Sequence, residues 1–264
     1  MTEHPPRRGS GSDPWSDPEP PVRLARPMLY QAWRDCSFLH WPVDAAAVRR
    51  HIPRSFEVDT FEGRAWVSLI SFRIDRMRMA GLPHVPGLVS ALESHIRIYV
   101  RGSDGRRGIW MVSLDIDPLQ AAVLGRFGFA LPYWWADMEV SRAADSARYR
   151  VRRRAPGAGT LDLDLGLGQP VPETEVSPLE HFVTARWVLY GGVPSVRTAI
   201  LTEHPRWVFR RATINRLEQT VTKVDGLPPL GDPAMVHFSE GVDARLGWPG
   251  PILRREGTSS ASAT

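Results

Sequence analysis

The chain has 264 residues, 42% of them hydrophobic and ten of them tryptophan, which is ample for a packed core and excludes a disordered polymer. A single cysteine, Cys36, excludes an internal disulfide and so a disulfide-built secreted scaffold. The net charge of +4 and pI near 9.7 rest on arginine, with Lys223 the only lysine, and the arginines are interleaved with 29 acidic residues as on a solvated surface rather than a phosphate-binding face.

No nucleic-acid partner and no membrane partner are therefore expected. No apolar run approaches the ~18 residues of a membrane span. The N-terminus has arginines but no apolar segment behind them, so it is not a signal peptide, and a cytoplasmic protein is expected.

In chain order, residues 1–26 are rich in proline and read as a disordered arm. Residues 27–250 read as one domain and 251–264 as a flexible tail, with no linker or repeat between. Tyr30, Trp33, Phe38 and Trp41 form an aromatic segment, after which Asp44 caps a short helix, Ala45–His51. Strands follow at Phe56–Asp59 and Arg64–Asp75, the second with Trp66, Ser68, Ile70 and Phe72 on one face. The stretch Met77–Leu92, broken by Gly81, Pro83, Pro86 and Gly87, reads as a lid-like loop.

Glu93–Val100 alternates His95, Arg97 and Tyr99 with Ile96, Ile98 and Val100. Ile109–Ile116 is a strand with Trp110, Val112, Leu114 and Ile116 on one face. Pro118 opens a helix, Leu119–Arg126, where Asp115 and Asp117 read as caps. Leu131-Pro-Tyr-Trp-Trp-Ala-Asp-Met138 then starts a strand reaching Val140. Ala147–Arg154 and Leu161–Leu165 form a hairpin in which Arg152 faces Asp162 and Arg150 faces Asp164. Ser177-Pro-Leu-Glu180 is a capping box that starts a helix. Strands around Val188–Tyr190, Arg197–Glu203 and Arg206–Ala212, a short helix near Ile214–Val221, and strands at Met235–Ser239 and Val242–Leu246 complete the pattern. It is mainly β with a few helices (α+β), a largely antiparallel sheet or barrel.

Chemistry-bearing motifs are sparse. The eight histidines include no HExxH pair, and Cys36 has no zinc-spaced histidine, so no metal and no other cofactor is expected. Gly166-Leu-Gly168 runs into Pro170 without a helix, which rejects a nucleotide loop, and there is no G-x-S-x-G elbow. The polar face His95/Arg97/Tyr99 has two readings. Turned into a barrel, it offers a cation and donors to a carboxylate or enolate. Turned outward, it is a solvated face with the isoleucines in the core. Arg186, on the apolar stripe of the helix after Ser177, is either a site residue or the partner of a structural acid such as Glu180. His40 reads as a core histidine.

Several segments together, Trp33–Trp41, Ile96–Val100, Leu131–Ala136, Ser177–Glu180 with Thr184–Arg186, and Val236–Ser239, resemble the YqjF-like proteins, a bacterial family of unknown function, over about Met28–Trp248. That family is similar in fold to acetoacetate decarboxylase, which implies a cone-like antiparallel barrel around a small-molecule cavity. The decarboxylase signature places adjacent lysines after a proline, one of them forming a Schiff base with the keto acid. Gly125–Ala136 stands in the equivalent place, yet Tyr133, Trp134 and Trp135 follow Pro132. Lys223 falls near the end of a surface helix, so Schiff-base decarboxylation is not expected.

The sequence thus points to a barrel that binds an organic acid or carbonyl compound, with acid–base activity that forms no covalent intermediate. In this reading Arg97 clamps an anion, Tyr133 is the catalytic candidate with Tyr99 as a second donor, and His95 and Arg186 complete the polar set. Trp134 and Trp135 form the apolar wall. The alternative is a ligand sensor or accessory protein without turnover. Whether there is turnover, and the oligomeric state, stay open at this level.

Overall fold

Period-two alternation dominates the chain and folds it into strands joined by short connections. A computed structural model describes Trp15 and residues 17–81, 90–154, 158–193 and 196–252. Its elements are β1 (Leu29–Val43), α1 (Ala45–Val48), β2 (Glu57–Val58), β3 (Ala65–Met79), β4 (Ala91–Arg101), β5 (Arg107–Asp117), α2 (Leu119–Gly128), β6 (Tyr133–Arg142), β7 (Ser146–Arg153), β8 (Thr160–Pro170), α3 (Pro178–Thr184), β9 (Val188–Val193), β10 (Val196–Glu203), β11 (Arg210–Gln219), α4 (Val221–Val224) and β12 (Met235–Leu246). The fold is mainly β. Most of the lid-like stretch, residues 82–89, and the hairpin turn at 155–157 lie outside the described residues.

All strands among the described residues belong to one 12-stranded sheet, ordered β10-β9-β5-β6-β7-β8-β11-β12-β1-β3-β4-β2, which closes on itself through β10–β12 and β4–β5. Two rings result. The smaller runs β12-β1-β3-β4-β5-β9-β10, and the larger leaves β5 through β6, β7, β8 and β11 back to β12. The strands β12, β1, β3, β4 and β5 are a wall common to both. Every ladder is antiparallel except β5–β6 and β5–β9, which are parallel.

A shared wall must bury both of its faces, and β4 does. Ile96, Ile98 and Val100 pack into the main core with Leu39, Val67, Tyr149 and Leu163. Glu93, His95, Arg97 and Tyr99 on the other face are at most 8% exposed. The sequence posed a choice between an inward and a solvated polar face, and neither face is solvated.

Two bulges keep the face toward the smaller ring continuous. In β1, Asp35 sits at φ 51 where the register jumps, so Leu29, Gln31 and Trp33 before it and Cys36 and Phe38 after it turn the same way. In β5 the register against β4 skips Val112. Trp110 therefore joins the main core while Ile109, Met111, Leu114 and Ile116 face the smaller ring, against the single face expected for Trp110, Val112, Leu114 and Ile116.

A bulge also explains the segment expected as a helix at Ile214–Val221. It is strand as far as Gln219, and the extra residue at Asn215 puts Ile214 and Leu217, three apart, opposite Leu165 and Leu163 on one face. The β7–β8 hairpin pairs Arg150 with Asp162 and Arg148 with Asp164, two residues from the expected register. A two-residue slip preserves the faces, so Tyr149 and Val151 remain inside. The arginine run meets acids along its length, Arg148 with Asp164, Arg150 with Asp162, and Arg152 and Arg154 with Asp137.

Neither Asp115 nor Asp117 caps α2, whose N-cap is Pro118. Asp115 instead lies 3% exposed against Arg153. The described part of the proline-rich arm also differs from expectation, because it is held against the domain. The Trp187 indole donates to the Asp17 carbonyl, Arg206 pairs with Glu19, and the Leu24 amide donates to Glu203.

Gly241 of β12 faces the β1 bulge at φ +125, and a Cβ there would meet the Trp33 carbonyl oxygen at 1.9 Å. Gly241→Ala is expected to cost about 2 kcal/mol or more, of which the backbone conformation alone supplies ~1–2 kcal/mol. Denaturant midpoints against Gly231→Ala, where a Cβ meets nothing within 4 Å, check this. Equal midpoints for the two variants would remove the steric argument.

Candidate functional site

The smaller ring encloses a cavity of about 120 Å³, to whose lining α2 contributes Ala121, Leu124 and Gly125 and α3 contributes Thr184. Its walls are largely apolar, with Ile70, Phe72, Met111, Leu131 and Trp207 among them. That space is comparable to the ~150 Å³ that accommodates benzene, room for on the order of half a dozen heavy atoms.

Polar atoms are few and come from adjacent elements. On β4, the His95 Nδ1 lies 3.0 Å from Glu93 Oε1, and the Tyr133 hydroxyl donates to Glu93 Oε2 at 2.9 Å. Gly125 permits this approach, since a Cβ on it would overlap the Tyr133 ring at 2.2 Å. Burial pushes the Tyr133 phenol well above its ordinary value and the Glu93 charge adds to this, so the phenol stays protonated as a donor. Burial lowers the His95 imidazole although Glu93 opposes it, which favours the neutral ring. His95 Nε2 has no partner.

The arginines are held by the end of α3. A helix of this length leaves its last carbonyls unpaired. Here Val183 O accepts from Arg97 Nη2 and from the Tyr99 hydroxyl, both at 2.8 Å, and Phe182 O accepts from Arg186 Nε at 2.7 Å. The capping box holds the other end of α3, where Ser177 Oγ and the Glu180 carboxylate each accept the opposite backbone N–H. Glu180 further bonds His237 at 2.7 Å, and the partner of Arg186 is Asp59 at 2.5 Å, not Glu180. Burial lowers Arg186 to about 10 against the pull of Asp59, leaving it charged at neutral pH. Arg97 Nε and Arg186 Nη2 are buried without partners.

Of the residues nominated by sequence, His95, Arg97, Tyr133 and Arg186 line this one cavity. Tyr99 sits behind the lining, its ring beneath the Arg97 and Arg186 guanidinium groups and its hydroxyl 2.5 Å from Ser68 Oγ. Trp134 and Trp135 are not part of the wall. Alternation turns Trp134 to the opposite face of β6, where Arg126 and Arg153 cover its ring. Trp135 lies beyond the cavity, 37% exposed, with Arg154 over it. Lys223 is exposed on α4, away from the site.

Sequence reasoning passed over Glu93, Asp59, His204 and Trp207. Glu93 was legible, being two residues before His95 on the same face. Asp59 and His204 lie in stretches whose neighbours carry no periodic signal. The His40 ring is fully buried, with Nδ1 2.6 Å from Ser68 Oγ. Among the described residues, no group of three or more His, Cys, Asp or Glu side chains is placed to hold a metal ion, and no helix is long and apolar enough to cross a membrane.

Arg97, Arg186 and Arg107 stand against Asp59 and Glu93, with Asp59 shared between Arg186 and Arg107. Arg107 is only half-buried, so with His95 neutral the buried charges of this set, Arg97 and Arg186 against Asp59 and Glu93, balance.

Comparison with solved structures gives the fold its relatives. An acetoacetate decarboxylase-like enzyme from Sphingomonas wittichii RW1 superposes with a TM-score of 0.61 at 12% identity, covering 88% of this chain and 95% of that one. The enduracididine biosynthesis enzyme MppR, complexed with pyruvate, gives 0.60 at 14% identity over 88% and 93%. The acetoacetate decarboxylase of Legionella pneumophila gives 0.58 at 16% identity over 93% and 98%. In sequence, the chain is 31% identical over 226 residues to the uncharacterized protein YqjF of Bacillus subtilis strain 168, spanning 84% of this chain and 91% of that protein. Residues 30–243 match the model of the uncharacterized conserved proteins designated DUF2071, and the chain belongs to that family.

Proposed function

We propose that the chain binds a small organic acid or carbonyl compound inside the smaller ring, which works as a cone-like, mostly antiparallel barrel, and acts on it by acid–base chemistry without a covalent intermediate. One observation carries this reading. Two buried guanidinium groups that carry unpartnered nitrogens, Arg97 Nε and Arg186 Nη2, line one largely apolar cavity. Buried donors of this kind are costly unless a guest satisfies them, and a carboxylate does so with charge-assisted hydrogen bonds. The pyruvate held by MppR supports a short oxo acid as the class of guest. The only lysine is exposed, so no amine is available in the cavity to form a Schiff base.

Isothermal titration with pyruvate, 2-oxobutyrate and acetoacetate tests the reading. Arg97→Met is expected to weaken the tightest of them about 10- to 100-fold, as befits a lost charge-assisted bond of ~1.5–3 kcal/mol. Unchanged affinity in a folded variant would sink the role of Arg97. A borohydride-trapped adduct on Lys223 would sink the non-covalent chemistry.

A further inference from the structure

We infer that His95 is the general base of this site, acting through Nε2 on a carbon–hydrogen bond next to the carbonyl of the bound acid, with Glu93 and Tyr133 as positioning residues. The inference rests on the oxo-acid reading above and assigns its chemistry to an atom.

Three features of the geometry carry it. A carboxylate 3.0 Å from Nδ1 accepts the Nδ1 proton and so fixes the neutral tautomer, leaving the lone pair on Nε2. The second Glu93 oxygen is taken by the Tyr133 hydroxyl at 2.9 Å, so the carboxylate is tied at both ends and cannot turn to serve as the base itself. The imidazole is 6% exposed and lines the cavity, yet Nε2 has no partner. A buried nitrogen lone pair without a donor is costly, and although His40 Nε2 and His237 Nδ1 share that state, of these three rings only His95 lines the cavity.

The remaining groups complete an enolisation site. In the step, the C–H bond breaks and its proton passes to Nε2, forming an imidazolium that Glu93 stabilises. The electron pair moves into the C–C bond as the carbonyl pair moves onto oxygen, giving an enolate. Arg97 and Arg186, already needed for the carboxylate, supply positive charge beside that oxygen. Return of the proton from Nε2 regenerates the acid. No oxidant, metal or second substrate is required, and no carboxylate is lost. Tyr133 is thereby reassigned from catalytic candidate to positioning residue, because its proton is committed to Glu93.

Exchange of the pyruvate methyl protons in D₂O, followed by proton NMR, reads this step directly, since the imidazolium proton exchanges with solvent before it is returned. The wild-type protein is expected to deplete the methyl signal well above the buffer rate. His95→Gln is expected to bind pyruvate within about threefold of wild type but to exchange it ~10²- to 10⁴-fold more slowly. Glu93→Gln should likewise keep its affinity while losing exchange, a split that a merely structural role would not produce. Nitrogen-15 shifts of the wild-type protein without ligand should show His95 as the Nδ1–H tautomer.

Pyruvate bound without exchange, or exchange that survives His95→Gln, overturns the base and leaves a binding protein. An Nε2–H tautomer overturns it independently of any ligand. Failure of pyruvate to bind at all, while the protein is folded, removes the oxo-acid reading and this inference together.

Discussion

Replacing Arg153 with methionine is expected to cost about 3–5 kcal/mol of folding stability. The side chain is 3% exposed and grips Asp115 with two bonds, at 2.6 and 3.0 Å, while Nη1 reaches Asp225 at 2.7 Å. It ties β5 and β7 to the end of α4. Burial alone lowers its affinity for a proton, and the hydrogen bonds to Asp225 and Asp115 overturn that effect, so the guanidinium is held firmly charged. Burial already raises the Asp115 carboxyl, and the neighbouring Asp225 charge adds to the rise. Without the arginine, two buried carboxylates face each other and one must take a proton. At ~2–4 °C per kcal/mol for a chain of this size, the melting temperature should fall by roughly 6–20 °C. The loss should shrink toward acid pH, where protonation relieves the repulsion. Arg153→Lys should fall between, since an ammonium cannot reproduce the planar fork. A methionine variant within 0.5 kcal/mol of wild type would show the cluster to be energetically silent.

Stability should also fall steeply on mild acidification, because the buried histidines are held neutral. His204 lies among Trp33, Trp187 and Trp207, 5% exposed, and burial lowers it to about 4. Burial likewise lowers His40 well below its usual value, with the Arg97 charge adding to it, and His95 and His237 shift the same way. A folded-state value below the unfolded one means that the unfolded chain binds the proton more readily between the two. The stability from a neutral histidine is therefore complete above about pH 6.5 and declines as pH drops from there toward the folded value. For His204 the window runs from ~6.5 to about 4 and amounts to about 3 kcal/mol. Melting temperatures from pH 7.5 to 4.5 check this. His204→Gln should flatten the slope, and an unaltered slope would place the acid sensitivity elsewhere.

What the sequence disclosed follows from which signals are local. The capping box at Ser177 and the alternation of Glu93–Val100 each depend on a few adjacent residues and were legible. The partners of those residues were not. Asp59 meets Arg186 from 127 positions away, and nothing near Asp59 marks it. Period-two counting failed at Val112 and Asn215 because each bulge inserts a residue and reverses the faces beyond it. Trp134 and Trp135 were misplaced for a different reason, a conspicuous aromatic pair suggesting a cavity wall although alternation itself sets Trp134 on the face opposite Tyr133. Trp134 is a platform for arginines instead, and Tyr133 alone of the three aromatics lines the cavity. The polar face of β4 could not be assigned from sequence because the question assumed that a strand has one solvated side. A wall shared by two rings has none.

The closure through β12 has a consequence for how the chain reaches this state. Leu29 pairs with Leu246, and both line the cavity. During synthesis, β1 emerges early and must wait for almost the whole domain before its neighbour exists. Until then β1, β10 and β11 are open edges, each offering unpaired backbone to another chain. Pairings so distant in sequence close slowly, since the entropy of a long loop is spent before the ladder forms. Crowded or rapid expression should therefore favour aggregation, and chains truncated before Met235 should have neither ring closed, no enclosed cavity, and three exposed strand edges.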